Sequence, residues 1–164
     1  MKSTAARGVR ITGRVLPFVF LLLLAVCPGC SPDETLLRNG YYSAVADSFN
    51  KGGWKEFVTI YVYNNKIVTA EYNARNASGL VLTWDSLSMR EMKTRTRVHP
   101  NRIIRAYTQD LLTWQDPQRV RQVPGDIYFY EPFKRLATVA VEQARLGNKA
   151  VAVVRVTENI ATSQ

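Results

Sequence analysis

The residue types that carry most enzymatic chemistry are sparse in this 164-residue chain. Its single histidine, His99, sits beside Pro100 with no cysteine nearby. A solitary imidazole is far more often solvent-exposed than a metal ligand, so neither a metal site nor a Ser/His/Asp set is expected. Gly52-Gly53 lacks the spacing and lysine of a phosphate loop. The chemical interest lies instead in the stretch Val120 to Leu136 and in a set of aromatics: Tyr41, Tyr42, Trp54, Trp84, Tyr128, Phe129 and Tyr130. Such rings either fill a core or line a flat apolar slot for a planar ligand.

The elements around that stretch can be read from pattern. Pro124-Gly125 is a chain reversal, because proline presets the φ of a turn's second residue and glycine accepts positive φ at the third. A helix follows, with Pro132 suited to its start, an apolar face of Phe133, Leu136, Ala137, Ala140, Val141 and Ala144, and Gly147 as terminator. Upstream, Tyr41 to Phe49 reads as a strand. In Phe57 to Tyr63, Val58, Ile60 and Val62 fall on one face and Phe57, Thr59, Tyr61 and Tyr63 on the other. Asn64-Asn65 is a two-residue hairpin loop, Lys66 to Tyr72 returns antiparallel, and Leu80 to Trp84 is a further short strand. A short helix begins near Asp85, with Ser88-Met89-Arg90-Glu91 as a capping box. Pro100 opens a second, in which Ile103, Ile104, Tyr107, Leu111 and Trp114 share a face and Gln115-Asp116-Pro117 is the stop. Ala150 to Thr157 is β-branched enough to be a late strand buried over much of its length. The sum is an α+β domain, a mainly antiparallel sheet of about five strands with three packed helices.

The first thirty residues are of another kind. Lys2, Arg7, Arg10 and Arg14 form a basic n-region without acids, and Val15 to Val26 an apolar h-region. The run is short for a membrane span, which needs about 20 apolar residues, and it leads into Leu24-Ala25-Val26-Cys27-Pro28-Gly29-Cys30. That segment resembles a lipobox, in which a cysteine behind a small residue is diacylated and becomes the mature N-terminus. Cys30 follows Gly29 and is favoured; Cys27 is the alternative, with Leu24 and Ala25 in better upstream places. An ordinary secreted protein cleaved nearby is the plainer reading. No cysteine occurs after Cys30, so no disulfide framework exists downstream. The expected organisation is a signal peptide over 1–29, a lipidated tether over 30–38, a domain over 39–157 and a tail over 158–164.

Four of the 22 basic residues belong to the signal, leaving 18 against 13 acids, a net charge of +5 for the remainder. Arg90, Lys93, Arg95, Arg97, Arg102 and Arg105 cluster with only Glu91 among them. Such a run is either a solvated face or an attractor for anionic headgroups or a phosphate-bearing ligand. Nucleic acid does not suit an exported lipoprotein.

The strings Gly40-Tyr41-Tyr42-x-Ala44, Phe49-x-x-x-Gly53-Trp54-Lys55-x-Phe57-Val58, Asn65-Lys66-Ile67, Glu71-Tyr72-Asn73-Ala74 and Asn76-Ala77-x-Gly79 resemble, in order and spacing, the bacterial FMN-binding domain family, including lipoproteins of the major membrane immunogen type. The resemblance spans nearly all of Asn39 to Gly147. Covalent members carry Val-Asp-x-Val-Ser/Thr-Gly-Ala-Thr-x-Ser, whose threonine hydroxyl holds FMN as a phosphoester. Here Val120, Val123, Gly125, Phe133 and Leu136 keep the frame, while Arg121 replaces the Asp, Pro124 the Ser/Thr, Asp126 the Ala, Ile127 the acceptor Thr and Phe129 the following Ser. Isoleucine has no oxygen to esterify.

The resemblance therefore implies noncovalent FMN at most, with Gly125, Asp126, Ile127 and Tyr128 as the cofactor-binding turn and the aromatics as a slot for the ring. It implies an electron carrier with a redox partner protein, lipid-anchored to a bacterial membrane on its extracytoplasmic side. The alternative is a family member without flavin that serves as a surface binding or structural lipoprotein. A catalyst with its own active site ranks behind both. Acylation at Cys30 is checked by labelling cells with a radioactive fatty acid: Cys30→Ser is expected to lose the label and Cys27→Ser to keep it.

Overall fold

The computed structural model describes residues 36–155. The expected signal, lipid-bearing Cys30 or Cys27, and tail over 158–164 lie outside the described residues, as does the end of the expected domain, 156–157. Within the described chain the strands are β1 (Gly40–Ala46), β2 (Lys55–Tyr63), β3 (Lys66–Arg75) and β4 (Ala152–Val154), and the helices α1 (Ser86–Thr96), α2 (Pro100–Trp114) and α3 (Tyr130–Leu146). The fold is α+β, with one sheet ordered β3-β2-β1-β4. Both β1·β2 and β2·β3 are antiparallel, with Tyr42 opposite Ile60 and Val58 opposite Tyr72, while β4 runs parallel to β1.

Alternation decides which face is covered. Tyr42, Ala44 and Ala46 of β1, Val58, Ile60 and Val62 of β2, and Ile67, Tyr72 and Ala74 of β3 are buried. They meet α3, which packs on β1 and β2, and α2, which packs on β3. The predicted apolar faces hold except at Trp114: Ile103, Ile104, Tyr107 and Leu111 of α2, and Phe133, Leu136, Ala137, Ala140, Val141 and Ala144 of α3, are buried, whereas Trp114, the last residue of α2, is exposed with Arg119 over its ring. The other sheet face carries Tyr41 stacked on Tyr61 at 4.5 Å, a Ser43–Thr59 hydroxyl bond of 2.8 Å and Arg75 over Phe57.

Turn chemistry fits the sequence where local rules dominate. Asn64 and Asn65 adopt positive φ of 49° and 60°, as a type I′ hairpin demands. Pro100 begins α2, capped by the His99 ring, whose Nδ1 accepts from the Asn101 amide. Gln115 ends α2 at φ 58°, and its side chain bonds both the amide and the carbonyl of Ile67, closing the helix onto β3. Gly147 terminates α3 at φ 69°.

Four expectations are corrected. The sheet has four strands among the described residues, because Leu80 to Trp84 forms only an isolated bridge at Val81 and a 3-10 turn at Leu82–Trp84. The cap of α1 is Asp85, whose side chain accepts from the Leu87 and Ser88 amides and the Ser88 hydroxyl; Ser88 lies inside the helix. Pro132 is in the first turn of α3 but is not its first residue, since Tyr130 begins the helix. The late strand is a three-residue edge with Val151 and Val153 exposed, not a buried one. Its β-branched residues suit a strand, but β-propensity does not say whether a neighbour covers the outer face.

Leu111 and Leu136 are 0 % and 3 % exposed. Each leucine-to-alanine change is expected to cost ~2–5 kcal/mol by chemical denaturation. Losses below about half a kcal/mol, the size typical of surface substitutions, would contradict the packing described.

Candidate functional site

The turn before α3 is held from inside. Asp126 is 2 % exposed. One carboxylate oxygen accepts from the backbone amides of Tyr128 and Phe129 at 2.9 and 3.0 Å, and the other accepts from the Tyr107 hydroxyl of α2. The Tyr107 hydroxyl in turn accepts from the Val123 amide at 3.2 Å, and Gln122 Nε2 donates to the Asp126 carbonyl at 2.8 Å. Burial first, and then the bond to Asp126, raises the Tyr107 phenol above its ordinary range. Gly125, at φ 84°, lies against the Thr96 carbonyl, where an added Cβ would stand 3.0 Å away. The turn is thus pinned to the end of α1 and the middle of α2.

This fixes what the turn presents. Ile127 is 69 % exposed and, with half-buried Tyr128, borders a cleft of about 720 Å³. Its remaining walls come from the turn Asn50–Gly52 and Trp54 before β2, from Glu56 of β2 and Leu82, from Ser88, Glu91, Met92 and Arg95 of α1, and from Phe129, Glu131, Pro132 and Arg135 at the start of α3. The cleft lies at the strand end opposite the Asn64–Asn65 hairpin. The described chain enters at that hairpin, where the Leu37 amide donates to Asn65 Oδ1 and the Asn64 amide to Asn39 Oδ1.

Of the four turn residues predicted to touch a cofactor, Ile127 and Tyr128 line the cleft. Gly125 and Asp126 do not line it and serve to shape the turn. The aromatic slot is smaller than expected. Trp54, Tyr128 and Phe129 border the cleft, whereas Tyr42 is in the core, Tyr41 stacks on the open sheet face and Tyr130 packs against Tyr107. Trp84, 78 % exposed, borders a separate depression of about 370 Å³ with Arg90, Lys93 and His99. The basic run from Arg90 to Arg105 is solvent-exposed along its length; Arg95, ion-paired with Glu91 at 2.7 Å and next to the Tyr128 hydroxyl, is its member in the cleft.

The residue that sequence reading missed is Glu56. It occupies an inward position of β2, two before Val58, and is 5 % exposed. Its Oε1 accepts from the Tyr72 hydroxyl at 3.2 Å, and the same hydroxyl lies 3.3 Å from the Phe129 carbonyl. One phenolic hydrogen serves two acceptors, so a proton on the carboxyl relieves the shortfall. Burial raises the Glu56 carboxyl from the ordinary 4.5 to about 7, against the opposing pull of the Tyr72 bond and the Arg135 charge. Tyr72 is itself pushed above its ordinary range, by burial and then by Glu56. The signal was present in the sequence: an acid on the face otherwise held by Val58, Ile60 and Val62 breaks the alternation.

No family model matches the chain. It is 28% identical over 136 residues to a protein of Treponema pallidum (strain Nichols) named "15 kDa lipoprotein", across 83% of this chain and 96% of that one. A crystal structure of a Clostridium perfringens protein superposes with a TM-score of 0.70 at 21% identity, covering 74% of this chain and 100% of that one. The second likeness shows the fold. Among the described residues no helix is long and apolar enough to cross a membrane, and no group of acids, histidines and cysteines is arranged to hold a metal ion.

The Glu56 shift has a consequence for stability. Between pH 4.5 and 7 the folded protein keeps a proton that the unfolded chain has released, so this carboxyl's contribution is full below 4.5 and is lost as pH rises to about 7. The shift corresponds to on the order of 3 kcal/mol. Denaturation of wild type and Glu56→Gln across pH 4.5 to 8 is expected to show the variant gaining relative stability as pH rises. A constant difference across that range would contradict a neutral Glu56.

Proposed function

We propose that this chain is a lipid-anchored lipoprotein of the bacterial cell envelope whose domain binds FMN noncovalently and passes electrons to a partner protein. The anchor reading rests on the basic and apolar leader, the lipobox-like Leu24 to Cys30, and the likeness to the Treponema pallidum lipoprotein. The domain would follow the tether at the expected boundary near 39.

The observation that carries the ligand reading is the cleft itself. It brings two residues of the acceptor-like turn, Ile127 and Tyr128, into one concavity with Trp54 and Phe129 and with the cations of Arg95 and Arg135. Aromatic walls suit a flat ring, guanidinium groups suit a phosphate, and about 720 Å³ falls in the range of small-molecule sites. FMN, when bound, supplies electron transfer. The protein's own part is to hold the ring away from water and to balance the charge of the phosphate. Covalent attachment does not fit, because Ile127 at the acceptor position has no hydroxyl.

Titration of FMN into the purified domain is expected to quench flavin fluorescence with micromolar affinity, about −8 kcal/mol. Incubation with a flavin transferase, FMN and metal is expected to leave the intact mass unchanged. No binding at millimolar FMN would sink the flavin reading in favour of a surface binding lipoprotein without flavin. A flavin-sized mass increase would overturn the noncovalent part.

A further inference from the structure

We propose that Glu56 is the acid group on the floor of the cleft: its neutral carboxyl donates a hydrogen bond to an acceptor atom on the edge of an aromatic, anionic ligand, so that binding is coupled to uptake of a proton. This rests on the reading of the cleft as a flavin-type site and adds the group that meets the ring edge.

Three features of the structure support it. Glu56 lines the cleft while only 5 % exposed, so a carboxyl is offered to a ligand from an almost dry floor. Its anchorage is rigid, since β2 is flanked by β1 and β3 on both sides and Tyr72 fixes Oε1 from the neighbouring strand. Among the described residues Tyr72 is the one hydrogen-bonding partner of the carboxyl, which leaves Oε2 for a ligand atom.

Burial decides the sign, and the surrounding groups temper it. Tyr72 from β3 donates to the carboxyl, Asp126 in the turn opposes its ionisation and Arg135 of α3 favours it. Around the cleft, Glu91 and Arg95 of α1 are paired, Glu131 stands at the start of α3, and Lys51 comes from the turn before β2. A ligand ring laid over the floor removes the remaining water from Glu56, and a ligand phosphate at Arg135 offsets the charge that favours ionisation. Both effects move the carboxyl further toward its neutral form. With a carboxyl raised to about 7 in the free protein, binding that takes up a proton is tightest on the acid side of that value and weakens as pH rises above it.

The test is the affinity of FMN, with riboflavin as the ring without phosphate, measured by fluorescence from pH 6 to 8 on wild type and on Glu56→Gln, with folding of the variant verified by circular dichroism. Glutamine keeps a donor of similar shape and cannot ionise. Wild-type affinity is expected to fall about tenfold from pH 6 to 8. Glu56→Gln is expected to hold the low-pH affinity throughout, and to do so for both ligands, which removes titration of the FMN phosphate as the cause. Wild-type affinity that is flat or tightens with pH overturns the proposal while leaving flavin binding intact, as does a tenfold fall retained in Glu56→Gln. Absence of binding by either ligand, at every pH and in both proteins, overturns the flavin reading and this inference with it.

Discussion

The carboxylate of Asp126 is the constraint on which the shape of the cleft depends. It is buried among three donors from two directions: the amides of Tyr128 and Phe129 ahead of α3, and the hydroxyl of Tyr107 in the middle of α2. A buried carboxylate without such partners would be prohibitively costly, and with them it acts as a rivet between two helices. Because Oδ1 gathers consecutive amides, the chain must turn at Ile127 and send that side chain outward. Because Oδ2 reaches Tyr107, the turn cannot drift from the face of α2 that packs on the sheet. Gly125 completes the constraint by letting the backbone approach the Thr96 carbonyl at the end of α1.

The two buried carboxyls are bonded differently. Asp126 meets its donors in full, whereas Glu56 shares a single phenolic hydrogen with the Phe129 carbonyl. The second arrangement favours a neutral acid. Tyr72 therefore links the two ends of the site, touching Glu56 through its hydroxyl and packing edge-on against Phe129 and Phe133 through its ring. Movement at the start of α3 would be felt at Glu56 through this one side chain.

Much of the architecture was legible because local rules and burial agreed. The apolar faces of α2 and α3, the asparagine hairpin and the glycine stop at Gly147 each follow from spacing or from a required φ. The misreadings occurred where tertiary context chose between equal local options. Leu80 to Trp84 has strand-like residues, yet with Arg75 paired only at Val81 the chain winds into a 3-10 turn instead. Ala152 to Val154 is a strand, but whether it is covered depends on the sheet edge and not on its own residues. At the site, the residues alone marked the Pro124-Gly125 reversal and an Ile127 without a hydroxyl. They could not show that Asp126 points inward, since an acid just before a helix is equally suited to a ligand and to local amides.

Those same inward carboxyls bear on how the acceptor-like turn should be understood. A turn of no structural consequence would not require its residues to cooperate with the rest of the fold. Instead Asp126 is the most highly bonded side chain of the region, and its partner Tyr107 reaches it from α2. A buried acid at one position demands a donor at another, and the structure contains that donor. The segment is therefore an integrated device with its own internal logic, which holds Ile127 and Tyr128 at the border of a cleft that Glu56, bonded to Tyr72, also lines. Such a combination, apolar and aromatic at the border with a buried acid beside it, is the setting on which the proposed reversible binding of a ring rests.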